Sequence, residues 1–165
     1  MTKYTSERFK KFLQTHLDLK GKVLEVGSRD INGSVKQKLI DRGFEYTGLD
    51  MIAPADIVAN AHDIKAILRP EEYDLVICMD TLEHDNMFWV TIDNMRWVLK
   101  KGGWLVICTP SYAWSIHEWP GDYYRFSPQT YREVFFEGYK ELYMDIVGDP
   151  MIPSEVFAWG RKPQG

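Results

Sequence analysis

Apolar positions along this chain follow two periods, and the switching between them sets out the architecture. From about Thr5 to Leu19, Phe9, Phe12, Leu13, His16 and Leu17 recur at helical spacing with lysines and Arg8 between them, which predicts an amphipathic helix. Gly21 interrupts it. Val23, Leu24 and Val26 then form a strand-like run that enters the turn Gly27-Ser28-Arg29-Asp30. A second helical segment, with Val35, Leu39 and Ile40 as its apolar face, runs from about Gly33 to Arg42; Asn32-Gly33 closes the turn before it and Gly43 ends it. Phe44 to Asp50 reads as a second strand ending in an acid, Asp56 to Ala59 as a brief third, and Ile64 to Leu68 as a short helix halted by Pro70. Tyr73 to Met79 is a strongly apolar fourth strand. Asp85 stands where it can cap a helix whose face is Phe88, Ile92, Met95 and Leu99, with Lys100-Lys101-Gly102-Gly103 as its stop. Trp104 to Thr109, closed by Pro110, is the fifth strand.

Strands alternating with helices predict a doubly wound parallel sheet with helices on both faces. The stretch from Ser111 to Phe126 breaks the alternation: Tyr112, Trp114, His117, Trp119, Tyr123, Tyr124 and Phe126 crowd aromatic side chains into a loop. Ser127-Pro128 then reads as an N-cap followed by proline in the first helical turn, with Tyr131, Val134 and Phe135 facing inward and Gly138 ending the helix. The last two strand-like runs, Tyr139 to Val147 and Glu155 to Gly160, have no helix between them, which predicts an antiparallel pair.

At 165 residues the chain reads as a single domain over 1–165, with the N-terminal helix inside 1–20 and the aromatic loop at 111–127. A net charge of −4 without a lysine or arginine cluster argues against a protein that grips a phosphate backbone, so nucleic acid is an unfavoured partner. Cys78 and Cys108 sit in separate apolar runs without CxxC spacing, which reads as two buried free thiols in a reducing, cytoplasmic compartment. The first residues carry no apolar signal core and no stretch has the length of a membrane span.

The candidate chemistry gathers at strand ends. Gly27, with no Cβ, lets a ligand approach the backbone. Asp50, about 20 residues further on at the end of the second strand, has the spacing of an acid that accepts from a ribose, against the alternative of a solvated strand end. His84 and His117 are the candidate bases because imidazole titrates near neutrality, with a cap and a structural donor as their respective alternatives. His62, Asp63, Glu83, His84, His117 and Glu118 include possible metal ligands, but their spacing matches no metal motif, and no metal is expected.

VLEVGSRD, YTGLD, NAHDI, YDLVICMDTLEH and WVLKKGGWLVICTP, in this order, resemble the successive motifs of the class I S-adenosylmethionine-dependent methyltransferases, from Val23 to about Arg161. The resemblance implies a Rossmann-like seven-stranded sheet with helices on both faces and an antiparallel last strand. It also implies S-adenosylmethionine as cofactor and a small-molecule acceptor. In that frame Gly27, Ser28 and Met79 would hold the amino acid end, with Glu25 ordering the turn. Asp50 would take the ribose, Met51 would pack on the adenine, and Asp63 with the Ile64 backbone would meet its edge. HEWPGDYYRFSPQTYREVF is similar to a segment of methyltransferase-like proteins of sugar and polysaccharide pathways. That similarity makes a sugar hydroxyl the favoured acceptor and Asp122, Tyr123, Tyr124 and Arg125 its pocket, with an Arg125–Asp122 pair that merely fixes the loop as the alternative. The acceptor pocket would draw on the N-terminal helix and the aromatic loop, with room for a second subunit. One departure stands out. The family's second glycine gives way here to Ser28-Arg29-Asp30, which favours the alternative of a non-catalytic cofactor-binding or scaffolding protein. A nicotinamide-dependent oxidoreductase is a third reading, weakened by the missing glycine-rich pyrophosphate turn.

Overall fold

The computed structural model describes residues 3–31, 33–117 and 121–165; Asn32 of the first turn, Glu118 and Trp119 lie outside them. Seven strands form one sheet: β1 (Lys22–Val26), β2 (Glu45–Asp50), β3 (Ile57–Val58), β4 (Tyr73–Met79), β5 (Leu99–Pro110), β6 (Lys140–Asp149) and β7 (Ile152–Arg161). Their order is β3-β2-β1-β4-β5-β7-β6. β1 to β5 pair in parallel, and β7 enters between β5 and β6 antiparallel to both. The Rossmann-like expectation, with its antiparallel last strand, therefore holds.

Residue alternation along the central strands explains why both faces are covered. Leu75, Ile77 and Met79 of β4 and Trp104, Val106 and Cys108 of β5 join one apolar cluster, completed by Phe9, Phe12 and Leu13 of α1 (Lys3–Thr15) and Leu39 of α2 (Lys36–Asp41). Val76, Cys78, Leu105 and Ile107 point to the opposite face. There they meet Ile64 of α3 (Ile64–Ile67), Ile92, Met95 and Val98 of α4 (Phe88–Val98), and Tyr131 and Phe135 of the helix that starts as α5 (Pro128–Thr130) and continues with π geometry through Tyr131–Phe135. Strands buried on both sides read as continuous apolar runs, which is why YDLVICM was legible as a strand. Both cysteines are buried and free.

The ends of elements account for the differences from the sequence expectations. α1 stops at Thr15, so Leu17, expected on its apolar face, is exposed, as is Ile40 on α2. α2 begins only at Lys36, whose N–H is taken by Ser34 Oγ. Asp85 does not cap α4 from the N-cap position, which Met87 occupies. Its carboxylate accepts instead from the Met87 N–H at 2.9 Å and the Thr91 hydroxyl at 2.5 Å, and lies 2.7 Å from His62 Nε2. β5 starts at Leu99, five residues before the expected Trp104, because the Lys100-Gly103 segment is already extended. Ser127 caps α5 as expected, accepting the Thr130 N–H at 3.0 Å, with Pro128 in the first turn. Among the described residues no helix is long and apolar enough to cross a membrane.

Candidate functional site

Strand order reverses direction between β1 and β4, and in an open α/β sheet the crevice beyond the carboxyl ends at that point is where ligands sit. A cleft of ≈ 660 Å³ opens there, within the range of small-molecule sites. One part of its wall is Glu25, Gly27, Ser28, Arg29, Asp50 and Met51; the other is Met79, Asp80, Glu83, His84, Trp114, His117 and Glu155. A smaller adjoining cleft of ≈ 140 Å³ shares Gly27, Asp50, Met51, Thr81 and His84 and adds the Ala59–His62 segment.

Gly27 is required by its surroundings. Its φ of +77° lies in the left-handed region, and a Cβ there would stand 2.0 Å from Thr81 Oγ1. The Gly27 and Ser28 N–H groups both reach Leu49 O, at 2.9 and 3.1 Å, which folds the turn back over β2. Arg29 does not adopt a positive φ; the non-glycine residues that do, among those described, are Glu71, Asp80 and Glu141. The turn therefore needs glycine at 27 and not at 29, and the departure at Ser28-Arg29 loses its weight as a sign of a defunct site.

Asp50 ends β2 with one oxygen accepting the Arg29 N–H at 3.1 Å and the other the Ile52 N–H at 3.0 Å. Each carboxylate oxygen keeps a further lone pair, so the side chain can still accept from a ligand in the cleft. Glu25 is buried in β1 and accepts from the Tyr46 hydroxyl at 2.5 Å. Burial raises its carboxyl to about 7 despite that bond.

At the other end, the backbone carbonyl of Glu83 accepts the N–H groups of Tyr123 (2.8 Å) and Tyr124 (3.3 Å), clamping the aromatic loop against the Leu82–His84 turn. Arg125 holds the loop in shape. Its guanidinium pairs in a fork with Asp122 and donates to Trp114 O at 3.1 Å, Ser115 O at 2.8 Å and Tyr124 O at 2.8 Å. Those hydrogen bonds from Arg125 hold the Asp122 carboxyl down at about 2, and Asp122 accepts the His117 N–H at 2.7 Å. The result brings His117 to His84, ring centroids 5.0 Å apart, with both Nε2 atoms facing Glu83 Oε1 at 3.9 and 3.6 Å. Glu83 is fully buried, and burial pushes its carboxyl up to about 8, with the Asp80 charge adding to the shift. Burial raises the Asp80 carboxyl as well.

The structure brings Glu25, Gly27, Ser28, Asp50, Met51, Met79, His84 and His117 to one cleft. It does not bring Asp63 and Ile64 there: Asp63 is exposed and the Ile64 side chain is buried under the sheet, while Asn60, Ala61 and His62 line the wall in their stead. Nor are Asp122, Tyr123, Tyr124 and Arg125 on the wall. Asp122 and Arg125 pair to fix the loop, Tyr123 is exposed, and Tyr124 stacks on Phe126 with its hydroxyl on Asn86 O. Thr81 and Glu155 carry no sequence expectation, and Trp114 and, above all, Glu83, seen in the sequence only as a loop aromatic and a possible metal ligand, also line the cleft. An acid beside His84 immediately after the fourth strand was the available signal for the last of these.

The family model described as "Methyltransferase domain" matches residues 1–137. A ubiquinone biosynthesis O-methyltransferase of Paraburkholderia phytofirmans is 27% identical over 115 residues, covering 60% of this chain and 49% of that one. The chain thus spans about half the length of the curated relatives it matches. Among solved structures, an S-adenosylmethionine-dependent methyltransferase from Archaeoglobus fulgidus superposes with a TM-score of 0.72 at 14% identity, covering 94% of both chains. The 1,6-didemethyltoxoflavin N1-methyltransferase of Burkholderia thailandensis, solved with its acceptor and S-adenosylhomocysteine, gives 0.74 at 14% identity over 96% of this chain and 78% of that one. With the match spanning most of its length and the sheet order agreeing, the chain belongs to the methyltransferase-domain family and has the class I fold of the S-adenosylmethionine-dependent methyltransferases.

Proposed function

We propose that this chain is an S-adenosylmethionine-dependent methyltransferase acting on a small-molecule acceptor, with oxygen as the methylated atom. The observation that carries the reading is a single cleft that joins Gly27 and Asp50 at one end to Glu83, His84 and His117 at the other. A nucleoside with an amino acid tail fits the first end: Asp50 would accept from the ribose hydroxyls, Met51 and the Ala59–His62 segment would flank the base, and Gly27 with Met79 would border the amino acid. The cofactor would supply an activated methyl group on a positively charged sulfur, and the chain has only to align, dry and deprotonate.

The acceptor hydroxyl must lose its proton as its oxygen attacks the methyl carbon. His84 and His117, bordering the cleft, carry the imidazole nitrogens placed to take it. The His84 ring is held for this by Gly121 O, 2.5 Å from Nδ1, and Trp114 beside His117 would exclude water from the acceptor. Oxygen is favoured by this base-bearing end and by the curated relatives, which are named as O-methyltransferases. Those relatives, named for ubiquinone biosynthesis, lend nothing to a sugar acceptor, and with Tyr123 to Arg125 off the wall the acceptor is left as a small hydroxyl compound. Catalysis in a reducing cytoplasmic setting and by a single domain fits the buried free thiols and the continuous sheet.

The test has two steps. Calorimetric titration with S-adenosylhomocysteine should give saturable binding, weakened at least about tenfold, or 1.4 kcal/mol, by Asp50→Asn. Transfer of a labelled methyl group to a panel of hydroxyl and amine acceptors should then favour oxygen, with His117→Ala lowering kcat more than cofactor affinity. No binding would sink the reading; binding without transfer to any acceptor would return the non-catalytic alternative.

A further inference from the structure

We propose that Glu83, His84 and His117 form a binding site for a divalent transition-metal ion at the acceptor end of the cleft. One ligand atom from each lies within 4.8 Å of the others. The Glu83 Oε1 separations of 3.6 Å to His84 Nε2 and 3.9 Å to His117 Nε2 are too long for hydrogen bonds. Two ligands about 2.1 Å from one ion in a tetrahedral arrangement stand roughly 3.4 Å apart, and both Glu83–imidazole pairs are within about half an ångström of that spacing.

Glu83 supplies the second, independent observation. It is fully buried, and among the described residues neither carboxylate oxygen has a hydrogen-bond partner. A buried carboxylate without partners is costly, and a cation between it and two imidazoles relieves that cost. The outer nitrogens are arranged accordingly. Gly121 O, which can only accept, lies 2.5 Å from His84 Nδ1, so that nitrogen carries the proton and Nε2 turns its lone pair inward. His117 Nδ1 lies 3.2 Å from Ser115 O and 3.6 Å from Asp122 Oδ2, two acceptors that favour the same tautomer over the Arg125 Nη2 at 3.4 Å.

Two imidazoles and one carboxylate suit zinc, iron(II), cobalt(II) or manganese(II) better than magnesium or calcium, which prefer all-oxygen shells. All three residues border the cleft, leaving the remaining coordination positions open to it. No spacing motif announces the set because His117 comes from a loop far along the chain and reaches His84 only through the Arg125–Asp122 fork. A second group, Asp80, Cys108 and Glu155, meets the same distance criterion, but burial holds its thiol protonated and Glu155 accepts from Thr5. With the ion bound, both Nε2 lone pairs would be engaged and the imidazoles would no longer serve as the base; an acceptor oxygen taking an open position would instead become acidic enough to lose its proton to solvent. That role rests on the methyltransferase reading, whereas ion binding does not.

Tag-free, metal-stripped protein titrated with CoCl₂ and with ZnCl₂, without cofactor or acceptor, tests the site. One equivalent should bind, with visible ligand-field bands for cobalt from a mixed nitrogen and oxygen shell. His117→Ala and Glu83→Gln should each weaken binding about 100-fold or more, beyond the 10- to 100-fold typical of losing a supporting residue. His16→Ala, away from the cleft, should bind as the unaltered chain does. The His117 side chain is 42% exposed, so its removal should leave the thermal unfolding profile in place and keep the test interpretable. Absence of saturable uptake, or affinity unchanged in His117→Ala, overturns the proposal. Saturable binding lost in that variant supports it, and methyl transfer assayed separately with and without chelator reports on the enzymatic reading alone.

Discussion

Glu25, outside the Glu83–His84–His117 group, carries a pH signature of its own. Its unfolded-state carboxyl titrates near 4.5 and its folded one near 7, so between those values the folded chain holds a proton that the unfolded chain has released. Stability contributed by this group is therefore full below about pH 4.5 and falls as pH rises toward 7. The loss is on the order of 2–3 kcal/mol. Denaturant unfolding of Glu25→Gln across pH 5 to 7.5 should be flatter than that of the parent; parallel curves would remove Glu25 as the cause. Gly27→Ala acts through shape instead. Strain at φ +77° costs about 1–2 kcal/mol before the contact with Thr81 is counted, and that contact should close the turn to ligand. A normal affinity for S-adenosylhomocysteine in this variant would contradict the backbone argument. At this scale the sequence was informative wherever one residue type has one conformational use, as at Gly27. It was poor where burial decides, as at Glu83, a fully buried carboxylate beside two imidazoles that form no hydrogen bond to it.

Among the elements, the loop from Ser111 to Phe126 is the one that local patterning could not place. Its aromatic density suggested an acceptor wall, yet among its described residues only Trp114 and His117 of those rings reach the cleft. Tyr124 and Phe126 instead pack on Phe88 of α4, and Arg125 spends its donors on the loop itself. Those pairings join residues that are close in space through contacts with other elements, which no periodicity encodes. Strands were legible for the opposite reason: two-sided burial writes an apolar run directly into the chain. Arg125→Ala should therefore raise amide hydrogen exchange at His117, Tyr123 and Tyr124, with a loss of about 1–3 kcal/mol in overall stability. Exchange unchanged at these amides would mean that the loop holds its shape by other means. The Tyr131 hydroxyl makes a comparable tie, 2.8 Å from Thr109 Oγ1 and 2.8 Å from Val156 O, joining the π-helical turn to β5 and β7. Tyr131→Phe should cost about 1–3 kcal/mol, read from the shift in denaturant midpoint.

For the molecule as a whole, the sheet is a wall between two apolar clusters, and the cleft is where that wall is interrupted. Because the cleft draws on β1, β2, β4 and the loop together, a ligand bound there should stabilise the entire fold and not one segment. S-adenosylhomocysteine at 100 times its Kd should add about 2.7 kcal/mol, seen as a rise in Tm that grows with ligand concentration. A Tm independent of concentration would separate the cleft from the cooperative core. The alternation of periods predicted five parallel strands and an antiparallel last pair, while the seven-stranded sheet was what the family resemblance implied. The meeting of Glu83 with His117 followed from neither, because it depends on how a long loop folds back across the sheet's end.

The fork between Arg125 and Asp122 has one further consequence. It makes the candidate constellation a product of a surface loop rather than of the sheet, and such loops open at far lower free energy than the core. Heating should then silence the protein before it melts: residual methyl transfer, assayed at temperature, should vanish several degrees below the midpoint seen by the buried tryptophans Trp104 and Trp159, and should return promptly on cooling from that interval.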